Sequence, residues 1–171
     1  MSVVRSFNHI AMPTNDTEAT YRFYTEVLGF PLVSAVREEI VPSTGARTPF
    51  LHTFFKLADG SCMAFFEVDG ERYAGRDDGV PQWLRHFAMN VESESALLAW
   101  KERLTSHGVE VVGPVDHEGI WLSIYFFDPN GLRLEFTWMR RSLTEEDRAH
   151  GEALYAHWLQ DLSLVHQLSS R

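Results

Sequence analysis

The tetrapeptide His9-Ile10-Ala11-Met12 returns as His86-Phe87-Ala88-Met89, 77 residues further on, and the segments downstream of each copy run in the same order. Each copy reads as a short apolar strand. Next comes a helical stretch, about Asp16–Val27 in the first half and about Ser93–His107 in the second. Each helix then meets a glycine, Gly29 or Gly108, 20 and 22 residues after its histidine. Glycine is the residue that best accepts a left-handed helix C-cap. An internal repeat of this kind constrains the fold more than any composition does.

Three strand-like segments come after each helix. In the first half they are about Pro31–Val41, Phe50–Ala58 and Ser61–Val68, with Asp59-Gly60 as a hairpin turn. In the second they are about Val109–Val115, Ile120–Asp128 and Leu132–Met139, with Pro129-Asn130-Gly131 as the turn. The reading is therefore α+β: two βαβββ modules, about 5–69 and 82–139, within a domain 1–141. One such module cannot bury both faces of its four strands. Two together predict a curved mixed sheet around a metal-binding concavity, with helices on its outer face. Residues 69–81, polar and glycine-rich, read as the connector. A C-terminal helical extension occupies 142–171, with Ser142 and Glu145 at capping-box spacing. Leu154, Trp158 and Leu162 share one face of it, to pack on the chain's own body, cover a sheet edge or meet a second copy.

Alternation along the strands assigns the chemistry. His9 shares a face with Phe7 and Ala11, and His86 with Ala88 and Asn90. The other faces, Ile10-Met12 and Phe87-Met89-Val91, are apolar and belong against the helices. Both histidines then look into the concavity. Near the end of each module a glutamate interrupts an apolar strand, Glu67 in the first and Glu135 in the second. A carboxylate there is costly unless paired or metal-bound. One His and one Glu per module, taken as equivalent across the repeat, predict a divalent metal site. Fe, Mn, Ni, Co and Zn all suit imidazole and carboxylate ligands.

Composition narrows the setting. With 15 basic against 24 acidic residues and no basic stripe, nucleic acid is not expected as a partner. No apolar run approaches the ~20 residues of a membrane helix. The single cysteine, Cys62, excludes an internal disulfide and a Cys-rich zinc site. The first residues, MSVVRSFNHI, carry no apolar leader pattern, so the expected location is cytoplasmic.

These residues resemble the vicinal oxygen chelate superfamily, which includes glyoxalase I, extradiol ring-cleaving dioxygenases, fosfomycin-resistance proteins and bleomycin-binding proteins. The resemblance covers about residues 5–139. It implies paired βαβββ modules around one metal, a small-molecule substrate and a homodimer, with modules pairing within a chain or across two. The run Val115-Asp116-His117, then Ile124-Tyr125-Phe126-Phe127-Asp128-Pro129-Asn130-Gly131 and on to Glu135, is similar to the extradiol dioxygenase signature. That similarity implies Fe(II) held by His9, His86 and Glu135, with His117 and Tyr125 beside substrate and oxygen. His52 is the candidate stand-in for that family's acid–base histidine. Glyoxalase I instead uses a His-Glu-His-Glu set, which His9, Glu67, His86 and Glu135 could supply. Glu67 would then be both ligand and catalytic base of an isomerase or epimerase. Octahedral iron with three protein ligands keeps three open positions, enough for catecholate and dioxygen, whereas a fourth ligand leaves two. Extradiol-type ring cleavage is the leading reading, and a metal-free protein that sequesters an aromatic compound is the third. His52, Phe54, Trp121 and Phe127, with Phe65, are the expected pocket residues.

Overall fold

A computed structural model of the chain describes residues 3–73 and 79–169. The predicted connector over 69–81 lies partly outside them. The first module comprises β1 (His9–Pro13), α1 (Thr17–Arg22, prolonged by a π-helical turn over Phe23–Val27), β2 (Leu32–Ile40), β3 (Arg47–Lys56) and β4 (Cys62–Val68). The second comprises β5 (Phe87–Asn90), α2 (Glu94–Ser106), β6 (Val112–His117), β7 (Trp121–Phe127) and β8 (Arg133–Met139). A short 3₁₀ turn, Gln82–Leu84, precedes β5, and a long helix α3 (Glu145–Ser169) ends the chain. The fold is α+β, as the repeat predicts. Each module builds its own four-stranded mixed sheet, ordered β1-β4-β3-β2 and β5-β8-β7-β6. In both, the first strand runs parallel to the last and the others are antiparallel.

Local signals set the helices. Asp16 caps α1 by accepting from the Ala19 N–H at 2.9 Å, and Ser93 caps α2 from Ala96 at 3.1 Å. The cap of α3 sits two residues beyond the Ser142–Glu145 box expected. Thr144 and Asp147 bond reciprocally there, and Arg141 grips the same carboxylate. Thr-x-x-Asp wins because Asp147 serves both the Thr144 amide and the guanidinium. Beyond this cap Leu154, Tyr155, Trp158 (63% exposed), Leu159 and Leu162 of α3 remain on the surface. No helix among the described residues is long and apolar enough to cross a membrane.

The two modules share one apolar core. Tyr24, Phe55 and Phe65 of the first meet Phe126, Phe136, Leu97 and Leu104 of the second in a continuous cluster. Burying each such side chain contributes about 1.5–3 kcal/mol. The π turn supplies the junction: Phe23 lies 6.5 Å from Phe126, and the Tyr24 hydroxyl donates to Asp128 Oδ2 at 3.1 Å. Arg103 of α2 donates to the carbonyls of Val27 and Glu26 at 2.6 and 2.9 Å. The helix-covered face of each sheet is therefore the core face, and the histidine faces turn away from it.

Register within the second sheet depends on one irregularity. Val112 pairs with Tyr125, but Val115 pairs with Ser123, so the ladder slips by one residue around Gly113 and Pro114. Directly paired residues share a face. Before the slip even-numbered residues join Tyr125; after it the odd ones do, and His117 is turned to that side. Gly113 holds φ +112, and a Cβ there would lie 2.7 Å from the Ser123 carbonyl oxygen and 3.3 Å from Ile124 Cα. Both neighbours are backbone and cannot swing away.

Substitution tests both the bulge and the junction. Gly113→Ala should cost about 1–3 kcal/mol through its left-handed φ and the backbone clash, read as a lowered denaturation midpoint; an unchanged midpoint would show that the bulge tolerates a side chain. The second test concerns Asp128. Burial raises its carboxyl above the ordinary 3.8, an effect its hydrogen-bond donors only partly offset. The folded state holds that proton more tightly than the unfolded chain, so this group's contribution is full below about pH 4 and falls as pH rises through the raised folded value. Tyr24→Phe should therefore cost about 1–3 kcal/mol at neutral pH, where it strips a donor from an ionised carboxylate, and less near pH 4. Urea titrations at the two pH values measure the difference.

Candidate functional site

The second sheet carries a connected row of polar side chains on its open face. Cross-strand pairing puts Glu135 opposite Tyr125 and beside Ala88, Ser123 opposite Thr137, and His117 opposite Trp121. His86, one residue before β5, reaches Glu135: its Nε2 lies 2.9 Å from Glu135 Oε2. The carboxylate is almost enclosed, with its side chain 8% exposed, while that of His86 is 34% exposed. Further along, His117 Nε2 and the Tyr125 hydroxyl lie 2.8 Å apart, and the Tyr125 ring stands edge-on to His86 at 5.8 Å. Burial, then the nearby Glu135 carboxylate, raises the Tyr125 phenol above its usual value, so it stays protonated and can donate at neutral pH. Ser123 donates to Thr137 at 2.9 Å beneath this row, leaving neither hydroxyl unpaired.

The donor set fits a divalent ion. Two ligands at right angles with bonds of ~2.1 Å stand about 3.0 Å apart, against about 3.4 Å on a tetrahedral edge. The 2.9 Å between His86 Nε2 and Glu135 Oε2 matches the octahedral edge. It also matches a shared proton, which a cation would displace.

The first sheet is different. On its open face His9 lies 5.8 Å from His52 and 5.3 Å from Phe54, and His52 stacks on Phe66 at 3.6 Å. His9 Nδ1 is 2.7 Å from Asn8 Oδ1. His52 Nε2 is buried with no hydrogen-bond partner among the described residues. Burial, then the neighbouring His9, lowers the His52 pKa. Where the second sheet carries Glu135, this one carries Ala64: Ala88 pairs with Glu135, and Ala11, its repeat counterpart, pairs with Ala64. Glu67 is the counterpart of Trp138, not of Glu135.

The expected equivalence of the two glutamates is therefore corrected. Glu67 shares the core-side face with Met63 and Phe65, and its Oε2 accepts from the Thr17 N–H at 2.9 Å. It satisfies the start of α1, where an anion is favoured, instead of facing His9. Phe65, fully buried between the helices and β3, is core and not pocket wall. Trp121 and Phe127 do lie on the open face of the second sheet, and His52 and Phe54 on that of the first. The structure does not bring the two groups together within one chain. Among the described residues no three His, Cys, Asp or Glu side chains converge closely enough to hold one metal.

Two neighbours of the row escaped the sequence reading. Arg133, two residues before Glu135 on the same face, lays its guanidinium 4.2 Å over the Tyr125 ring. Trp83, in the 3₁₀ turn, helps wall a cavity of about 410 Å³ against Tyr125 and Phe127. Strand alternation does put Arg133 on the face of Glu135, but assigns it no part in a site. Nothing local marks Trp83.

The sequence profile of the Glyoxalase/Bleomycin resistance protein/Dioxygenase superfamily matches residues 6–136. Solved structures of similar fold include the integron cassette protein HFX_CASS4 from the mobile metagenome of the Halifax Harbour sewage outfall, 30% identical, covering 80% of this chain and 100% of that one with a TM-score of 0.55. A glyoxalase family protein from Enterococcus faecalis is 27% identical, covering 78% of this chain and 97% of its own, with a TM-score of 0.57. A glyoxylase/bleomycin resistance protein/dioxygenase domain from Frankia sp. EAN1pec is 23% identical over 81% of this chain and 100% of that domain, with a TM-score of 0.62. With a repeat of βαβββ modules, a His–Glu pair on one open face and a profile match across both modules, this chain belongs to the glyoxalase/bleomycin resistance/dioxygenase superfamily.

Proposed function

We propose that the protein is a divalent-metal-dependent enzyme that binds its substrate as an oxygen chelate and cleaves an aromatic ring in the manner of an extradiol dioxygenase. The observation that carries this reading is the row His86–Glu135–Tyr125–His117, an acidic metal edge adjoining a hydrogen-bonded proton donor pair. His86, Glu135 and His9 would hold the ion. Fe(II) is favoured, and Zn, Ni, Mn or Co share the ligand preference. When bound, Fe(II) supplies a centre that gathers two substrate oxygens and activates dioxygen. The chain's own part is to position and to move protons. The Tyr125 hydroxyl orients a substrate oxygen, and His117, joined to it at 2.8 Å, accepts or returns a proton there. His52 and Phe54 stand beside His9, and Trp121 and Phe127 flank the row as walls for a planar ligand.

The place of Glu67 favours ring cleavage over a glyoxalase-like isomerase. Its carboxylate serves the Thr17 amide on the core side, so the open faces offer three ligands and not four. A metal-free sequestering protein would have no use for the buried Glu135 beside His86.

His9 reaches the site, in this reading, from a second copy of the chain. Both open faces turn away from the shared core, so the first-module face of one copy can oppose the second-module face of the other. The exposed apolar stripe of α3 offers such a homodimer further surface to bury. The working location is the cytoplasm, where Cys62 stays a thiol. Neither nucleic acid nor a membrane enters this reading as a partner.

The test is metal content with oxygen uptake. Wild type loaded anaerobically should bind about one Fe(II) per chain and consume oxygen with a catechol. Glu67→Gln should keep the metal, while His9→Ala and His86→Ala should each lose most of it. Refolding those two histidine variants together should restore about a quarter of the sites, since half the dimers are mixed and each mixed dimer has one complete site. No recovery would exclude sharing across copies. Loss of the metal in Glu67→Gln, with no oxygen uptake from any catechol, would favour the isomerase.

A further inference from the structure

The cavity beside the row has one cationic wall, and its chemistry narrows the ligand. Its volume is about 410 Å³, within the range of small-molecule sites. Trp83, Val112, Tyr125 and Phe127 make it mainly apolar, and Arg133 closes one side. Trp83 is 64% exposed and Phe127 is 42% exposed, so flat apolar surface stands ready for a partner. The Arg133 guanidinium lies over the Tyr125 ring, its carbon 4.2 Å from the centroid. Among the described residues it forms no ion pair. A guanidinium held over a ring can still bond a carboxylate in bidentate fashion through its in-plane N–H groups. In a chain of net charge −9, a cation with no ion pair among the described residues, beside an aromatic pocket, marks where an anion belongs.

Position adds the second constraint. Arg133 and Glu135 alternate on one face of β8, about 7 Å apart along the strand. That separation is the span of one substituted benzene ring, from a pair of ring oxygens at one end to an acid group at the other. Resting on the metal-chelate reading above, we propose that the ligand of this site is an aromatic carboxylate, with its ring against Tyr125, Trp83 and Phe127, its vicinal oxygens toward His86 and Glu135, and its carboxylate on Arg133. Glu110 also lines the cavity, so its carboxylate opposes the same anion.

Isothermal titration tests this without turnover. Benzoate and its neutral isostere benzamide are titrated into the protein without added metal. Then 3,4-dihydroxybenzoate and catechol are titrated into the Fe(II)-loaded protein under nitrogen. Benzoate should bind at least about 10-fold tighter than benzamide, as expected of a charge-assisted fork. Arg133→Gln should erase that preference while leaving benzamide unchanged. Arg133→Lys should restore part of it, and Glu110→Gln should strengthen benzoate binding, two variants that do not depend on the Gln protein folding well. On the loaded protein, 3,4-dihydroxybenzoate should exceed catechol by a similar factor. Equal affinity for acid and neutral probes in both series, with catechol still bound through the metal, would overturn the carboxylate assignment and leave the chelate reading standing. An Arg133-dependent acid preference to which Fe(II) adds nothing would uphold the assignment and overturn the chelate reading. Absence of binding by all four probes would overturn both.

Discussion

A single buried carboxylate holds the two halves in their working relation. Asp128, directly after β7 and 5% exposed, accepts four hydrogen bonds: from the amides of Asn130 and Leu132 at 2.8 Å each, from Asn130 Nδ2 at 3.0 Å, and from the Tyr24 hydroxyl at 3.1 Å. Three of these shape the turn into β8, so they fix where Arg133 and Glu135 begin their alternation. The fourth comes from the other module. Asn130 extends the link to Thr20 Oγ1 at 3.1 Å. A charge so enclosed is tolerated because each lone pair has a donor. One side chain thus sets the register of the site strand and the docking of the first helix.

The repeat has kept its frame and divided its chemistry. Both modules retain a histidine at the head of the first strand, but the position that is Glu135 in one is Ala64 in the other. The second module carries acid, phenol and imidazole in one row. The first carries an imidazole pair, His9 and His52, among Phe54 and Phe66. Because the core lies between the modules, duplication made two outward faces with different inventories, each lacking what the other has.

The frame was legible in the sequence because it rests on periodicities. Alternation put Ile10, Met12 and Met89 against the core and the histidines opposite, and the helices stopped beside Gly29 and Gly108. Glu67 misled because a carboxylate late in an apolar strand looks the same on either face. Counting from the turn glycines would have separated the two cases: four residues after Gly131 stands Glu135, and four after Gly60 stands Ala64. Alternation puts Arg133 on the face of Glu135, but Trp83 at the cavity and Tyr24 under Asp128 are contacts between distant segments, which no local pattern encodes.

The bulge at Gly113 and Pro114 governs identity as well as shape. Were the same residues to pair without the slip, the ladder running on unbroken from Val112 and Tyr125, every later position of β6 would exchange sides. Asp116, now tied to Arg140 and to the Gly119 amide away from the row, would stand where His117 meets Tyr125. A carboxylate in place of an imidazole would add a second acid to the face of Glu135 and remove its proton acceptor. A slip of one residue in an edge strand thus decides which reagent meets Tyr125.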